Sequence, residues 1–74
     1  MNKLEMTETI IAAKGKSGLG WEEIAAQVGL APVFLTSACL GMNSLVAEHA
    51  DKLCQILGLP AEVSGALQAF PHKS

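Results

Sequence analysis

The segment GWEEIAAQVGLAPVFLTSACLG, residues 20–41, contains the pattern that decides the fold. Four apolar residues of its first half recur at positions i, i+3, i+4 and i+7, namely Trp21, Ile24, Ala25 and Val28. This spacing is typical of the inward face of an amphipathic helix. A glycine follows, and a proline then opens a second apolar run that reaches the next glycine. The segment therefore predicts two short helices joined by a tight turn, the outline of a helix-turn-helix.

Glycine and proline set the predicted limits of these two helices. The first is predicted over about 21–28, because Gly29 suits the left-handed position just after a helix. The second is predicted to begin near Pro32, since proline is well placed at the first helical position, and to end at Gly41.

Three further helices flank this pair. Apolar residues at helical spacing predict them over about 3–14, 45–57 and 60–70. Asn43 and Ser44 are good N-cap residues, so the fourth helix is expected to begin just after them. With no strand predicted, the chain is expected to be all-α, a five-helix bundle of the repressor-like type. Its 74 residues allow one domain.

The helical spacing also predicts which side chains form the core. Six large apolar residues face inward in this pattern: Trp21, Ile24, Val28, Phe34, Leu53 and Leu57. Trp21 is the only tryptophan and begins the inward face of its helix. It is therefore predicted to be the central anchor of the core.

The helix that begins near Pro32 is apolar around most of its circumference. Leu35, Leu40 and Met42 exceed what one core face of a small bundle needs, and apolar residues in excess often mark subunit contacts. Two interpretations stay open with equal weight. These residues contact another subunit, or they fill the core and loops of their own domain.

Cys39 and Cys54 are the two cysteines of the chain. Both fall within apolar helical patterns, which favours buried free thiols over a disulfide. No Cys-x-x-Cys pair and no Cys/His quartet is present, so no metal site is predicted.

The charge of the chain argues against a nucleic-acid partner. Its formal net charge is −2, and all five of its cations are lysines. A DNA-reading helix offers Arg, Lys, Asn or Gln at its N-terminal turns, whereas residues 31–37 here read APVFLTS. No lysine or arginine stands between Ser17 and Asp51. We therefore expect no nucleic-acid binding.

Membrane association and catalysis find no support in the sequence either. No run of about 18 apolar residues is present, so no membrane partner and a cytoplasmic location are expected. Glu48 and His49 are neighbours on a predicted helix, and adjacent helical side chains do not face each other. His72 falls in the terminal tail. The sequence predicts no catalytic, cofactor-binding or metal-binding residue.

The order of the motifs resembles the N-terminal domain of cyanase, also called cyanate hydratase or cyanate lyase. In that family an aromatic-x-Glu-Ile-Ala helix leads to Gly-Leu, and a Phe-hydrophobic-Thr helix that ends in glycine follows. The matching segments here are residues 19–25, 28–31, 34–38 and 40–41, and the similarity continues to Pro71.

The resemblance implies a two-part parent enzyme. In this family a helical domain precedes a smaller α/β domain, whose arginine, glutamate and serine act at sites shared between subunits of a homodecamer built from dimers. The enzyme converts cyanate and bicarbonate to ammonia and carbon dioxide through a carbamate, without a metal or organic cofactor. Those three catalytic residues map to none of the 74 positions, so a non-catalytic assembly domain without its catalytic domain is expected.

Two departures accompany the resemblance. Met42 stands where the family usually has glutamine. His72, Lys73 and Ser74 stand where it commonly has a hydrophobic residue or tyrosine and then Arg-Gly.

Three interpretations stay open: an assembly domain of a cyanase, a repressor-type DNA-binding domain, and a bundle with an unknown protein partner.

Overall fold

The computed structural model describes residues 1–70. These residues form five α-helices and no strand, which confirms the expected all-α, five-helix fold. The helices are α1 (Lys3–Ser17), α2 (Trp21–Val28), α3 (Pro32–Cys39), α4 (Ala47–Leu57) and α5 (Ala61–Ala69). None of these helices is long and apolar enough to cross a membrane.

All five helices contribute to one core. α4 packs on α5, α2 packs on α3 and α4, and α1 contacts α3, α4 and α5. The largest fully buried side chains come from every helix: Met6, Ile10, Ile24, Leu35, Cys39, Leu53, Val63 and Leu67. Full burial of a large aliphatic side chain contributes about 1.5–3 kcal/mol, so this shared core is the main source of stability.

α1 begins where predicted but ends later. A capping box starts it, in which Asn2 Oδ1 accepts from the Glu5 N–H at 2.8 Å and Glu5 Oε1 accepts from the Asn2 N–H at 2.9 Å. The predicted end near Lys14 is wrong, because the helix continues to Ser17. Gly15 does not end the helix, because a glycine inside a helix costs only about 1 kcal/mol relative to alanine. The left-handed Gly18, with φ of 74°, ends the helix instead.

α2 has the predicted limits. Gly29 takes the left-handed conformation, with φ of 95°, and its N–H donates to the Ala25 carbonyl at 2.8 Å. α3 begins at Pro32 as predicted and ends at Cys39, two residues before the left-handed Gly41. α2 and α3 are thus adjacent, packed helices joined by residues 29–31, while their assignment as a helix-turn-helix stays a prediction.

α4 begins later than predicted, at Ala47. Asn43 and Ser44 do not cap it, since Val46 occupies the N-cap. The physical reason is a tertiary contact. Leu45 is buried, and its N–H donates to the Leu67 carbonyl at 2.9 Å, which ties the segment before α4 to α5.

α3 buries a different face from the one predicted. Leu35, Ala38 and Cys39 are buried at i, i+3 and i+4, whereas Phe34 is 40% exposed. The prediction of Phe34 as a core residue is therefore wrong, and so is that of Leu35 as a subunit contact. Successive helical positions point about 100° apart, and the face of α3 that meets α1 and α2 is the one centred on Leu35.

Trp21 lies at the edge of the core rather than at its centre. It is half-buried in the first turn of α2, and Lys14 Nζ lies 5.1 Å from the centroid of its ring. The prediction of a central anchor is therefore wrong, because the deeper positions are taken by aliphatic side chains. The other predicted core residues of α2 and α4 are buried: Ile24, Val28, Leu53 and Leu57. Pro71 and His72 lie outside the described residues.

Candidate functional site

Apolar side chains are exposed along one continuous part of the surface. Leu40 lines two shallow concavities of about 380 Å³ each. The first is completed by residues of α1, namely Lys3, Leu4 and Thr7. The second is completed by residues of α2 and α3, namely Trp21, Glu22, Pro32, Val33, Thr36 and Ser37. We call these lining residues together the Leu40 surface.

The apolar residues of the Leu40 surface expose much of their side chains to solvent. Val33 is 79% exposed, Leu4 is 65% exposed and Leu40 is 46% exposed. Met42, a predicted contact residue, is also exposed and follows Gly41, against which the Lys3 side chain packs. Contiguous exposed apolar surface in a small protein typically marks an interaction site.

Tertiary contacts hold the Leu40 surface in place. The Thr7 hydroxyl donates to the Cys39 carbonyl at 2.7 Å, which joins α1 to the end of α3. Gly41 has a left-handed φ of 79°, and a Cβ there would collide with the aliphatic part of Lys3. These contacts bring Leu4 of α1 beside Leu40, although 36 positions separate the two residues in the chain.

The charges of the Leu40 surface lie among its α1 and α2 members. Lys3 lines the concavity formed with α1, and Glu22 lines the concavity formed by α2 and α3. Within residues 1–70 the structure forms one ion pair, between the Met1 amino group and Glu62. Lys3 and Glu22 take no part in this ion pair, and Lys3 Nζ lies 5.9 Å from the centroid of the Phe70 ring. α2 and α3 contribute no cation to this surface.

The polar residues of α4 form a structural contact. Asp51 Oδ1 accepts from the Ser64 hydroxyl at 2.5 Å, and Gln68 Nε2 donates to Ser64 Oγ at 3.2 Å. This network joins α4 to α5. His49 is half-buried and takes no part in it. Among residues 1–70 no group of three His, Cys, Asp or Glu side chains is arranged to hold a metal ion.

The two cysteines are buried free thiols, as predicted. Burial raises the pKa of Cys39 from 9.0 to about 12, and the charge of Cys54 adds to the shift. Burial also raises the pKa of Cys54, with a further contribution from Asp51. Because the thiolate is the reactive form, neither residue is suited to act as a nucleophile near neutral pH.

A groove of about 870 Å³ lies between α1 and the turn that joins α4 to α5. The polar residues that line it are Glu8, Thr9, Lys16, Ser17 and Gln55. No histidine lines the groove.

The fold and the surface together define a class of protein. It is a small all-α domain whose described residues leave several large apolar side chains exposed. Residues 3–71 match the family model of the N-terminal domain of cyanate hydratase. The chain therefore belongs to the cyanate hydratase family.

Curated relatives agree with this assignment. The chain is 50% identical over 74 residues to a cyanate hydratase of Marinomonas sp. (strain MWYL1). This match covers 100% of the chain and 51% of the relative. It is 51% identical over 73 residues to a cyanate hydratase of Pseudomonas putida, covering 99% of this chain and 50% of the relative. A cyanate hydratase of Teredinibacter turnerae is 49% identical over 74 residues. The chain thus spans about half the length of these relatives.

The helical spacing of the sequence does not single out Leu4, Val33 or Glu22, which line the Leu40 surface. Leu4 and Val33 are apolar in predicted helices, and nothing in their spacing separates an exposed apolar position from a buried one. The pairing of α1 with the end of α3 decides their exposure, and that pairing is visible only in the tertiary structure.

Proposed function

We propose that this chain is the non-catalytic helical domain of a cyanate hydratase and that its role is to associate subunits. The observation that carries the proposal is the Leu40 surface, an exposed apolar area on a domain of this family. The parent enzyme would decompose cyanate with bicarbonate to ammonia and carbon dioxide, as the resemblance implies. Cyanate and bicarbonate would therefore be substrates of the two-part enzyme and not of this domain by itself.

The composition of the chain supports the proposal that this domain has no catalytic activity of its own. The sequence has no arginine, so the arginine that the family resemblance implies for the active site is not among the 74 residues. Both cysteines are buried, and burial holds their pKa values high. Among residues 1–70, no histidine and no cysteine lines any of the grooves described above.

We predict that the 74-residue chain releases no ammonia from cyanate and bicarbonate. The assay measures ammonia at high protein concentration, with the full-length cyanate hydratase of Pseudomonas putida as the positive control. Turnover above background that copurifies with the 74-residue chain through two chromatographic steps would contradict the prediction.

The association role has its own test. Sedimentation velocity from about 10 to several hundred micromolar should show a weight-average mass that rises with concentration, as expected for at least a weak homodimer. Apolar surface left exposed by the fold supplies the driving force. A strict monomer across the whole series would contradict the association role, whatever the outcome of the activity assay.

A further inference from the structure

We propose that the thioether of Met42 is a reversible oxidation site, which hydrogen peroxide converts to the sulfoxide while the domain stays folded. The inference goes beyond the proposed association role and does not depend on it, because it concerns the chemistry of one side chain. The co-reactant is a peroxide in the forward direction and a dithiol reductase in the reverse direction.

The reaction is a transfer of one oxygen atom to the sulfur of Met42. A lone pair on the sulfur attacks one peroxide oxygen, the O–O bond breaks and an S–O bond forms. The proton of the transferred oxygen passes to the departing hydroxide, which leaves as water. The sulfur is thereby oxidised by two electrons and the peroxide is reduced. In the reverse direction two thiols of a methionine sulfoxide reductase take the oxygen away as water and become a disulfide.

The first support is the exposure of the three methionines. The side chain of Met42 is 66% exposed, that of Met1 is 38% exposed and that of Met6 is fully buried. An oxidant dissolved in water reaches a sulfur atom only where the side chain meets solvent. Exposure therefore ranks Met42 first for the forward reaction, and it also leaves the sulfoxide open to a reductase.

The second support is that the backbone around Met42 is held without its side chain. The Met42 N–H donates to the Ser37 carbonyl at 2.9 Å, and the Gly41 N–H donates to the Ala38 carbonyl at 2.9 Å. The Met42 side chain belongs neither to the core nor to the half-buried residues packed against it. A sulfoxide at this position keeps its polar oxygen in water, so the fold loses little.

Met6 shows the opposite case within the same chain. It is one of the largest fully buried side chains of the core. A sulfoxide there would place a polar oxygen among aliphatic side chains, and burial of a polar group without a hydrogen bond is costly. The two positions therefore differ both in their access to the oxidant and in what oxidation does to the fold.

The third support is that the two thiols do not compete with Met42. Cysteine reacts as the thiolate, and Cys39 and Cys54 are only 1% and 7% exposed. Burial also raises the pKa of both thiols, so the thiolate is scarce near neutral pH. A thioether has no proton to lose, so the reaction of Met42 with peroxide does not depend on pH in this range.

The first experiment maps the oxidised sulfur. The 74-residue chain is treated with hydrogen peroxide at about pH 6, where thiolates are rarest, and is analysed by intact and peptide mass spectrometry. We expect the first oxygen atom on Met42, at a rate about tenfold or more above that of Met6 and above that of Met1. A count of thiols in the denatured product should still find both cysteines free.

Matched variants test the assignment. Met42→Leu removes the exposed sulfur and should abolish the fast uptake of oxygen. Met6→Leu removes the buried sulfur, keeps a side chain of similar volume, and should oxidise as fast as the parent. Since Met6→Leu alters the core, its fold is checked by circular dichroism. If it is not folded, the rates at Met42 and Met6 within the parent chain decide.

The second experiment tests tolerance and reversal. The singly oxidised chain should melt within about 4 °C of the untreated chain, as expected for a surface change. Incubation with both methionine sulfoxide reductases, one for each sulfoxide epimer, and with dithiothreitol should restore the original mass.

Each part of the inference has an outcome that overturns it. Oxidation of Met6 or of a cysteine as fast as Met42 overturns the assigned site. A singly oxidised chain that has lost its cooperative melt overturns the tolerance of the fold. A Met42 sulfoxide that neither reductase removes from the folded chain overturns the reversibility. A chain that stays monomeric in sedimentation velocity but oxidises first at Met42 supports this inference and contradicts only the association role.

Discussion

At the scale of single residues, the exchange of roles between Phe34 and Leu35 has a measurable consequence. Leu35 is fully buried, and Phe34 is 40% exposed. Truncation of a fully buried leucine costs about 2–5 kcal/mol, because the transfer free energy is lost and a cavity remains. In urea titrations followed by circular dichroism, Leu35→Ala should lower the free energy of unfolding by that amount. Phe34→Ala should lower it by less than half as much.

Trp21 provides the control for this comparison. As a half-buried residue at the core edge, it should tolerate Trp21→Ala better than the core tolerates Leu35→Ala. A cooperative melt that persists for Trp21→Ala while Leu35→Ala is largely unfolded would agree with the structure. The reverse order of stability would contradict the burial pattern of α2 and α3.

Cys39 makes the stability of the domain depend on pH in the alkaline range. Burial raises its pKa from 9.0 to about 12, so the folded state binds this proton more tightly than the unfolded state. The stabilising contribution is present in full below about pH 9 and is lost as pH rises toward 12. Cys39→Ala should therefore lose less of its melting temperature than the parent between pH 8.5 and about 10.5.

The matched control for Cys39 is Cys54, whose pKa burial also raises. Cys39 is 1% exposed and Cys54 is 7% exposed, so Cys54→Ala should keep more of the parent's pH dependence than Cys39→Ala does. Parallel melting curves for the parent and Cys39→Ala across this pH range would show that the thiol does not titrate with unfolding.

At the scale of elements, α3 is the helix that a DNA-binding interpretation depends on. Its exposed or half-buried side chains include Val33, Phe34 and Thr36, none of which can make the bidentate contacts that read base edges. Non-specific binding by basic domains lies near 10⁻⁴–10⁻⁶ M at physiological salt. We predict weaker binding than this in fluorescence anisotropy with a mixed-sequence duplex. Micromolar binding that falls steeply with added salt would contradict it.

At the scale of the whole molecule, the force that drives association can be tested with salt. The chain has 16% charged residues and a net charge of −2, so little long-range repulsion opposes contact between copies. Exposed ion pairs contribute only about 0–1 kcal/mol each, and apolar burial is not screened. The dimer dissociation constant should therefore change by less than about tenfold between 50 mM and 1 M sodium chloride. Dissociation at high salt would identify charge as the main force.

The sequence by itself determined the features that rest on local patterns. The i, i+3, i+4, i+7 spacing and Gly29 predicted α2 to the residue, and Pro32 marked the start of α3. The same motif order indicated the cyanate hydratase family, because motif order and spacing are properties of the chain. The sequence also shows, without any knowledge of the fold, that none of the 74 residues is an arginine.

Only the tertiary structure decided which apolar side chains are buried and where α4 begins. α3 is apolar on several sides, so its contact with α1 and α2 had to select Leu35 over Phe34 for the core. α4 begins at Ala47 because the Leu45 N–H is held by the Leu67 carbonyl, a contact across 22 positions of the chain. The Leu40 surface exists for the same reason: burial depends on which elements meet, and periodicity within one helix does not contain that information.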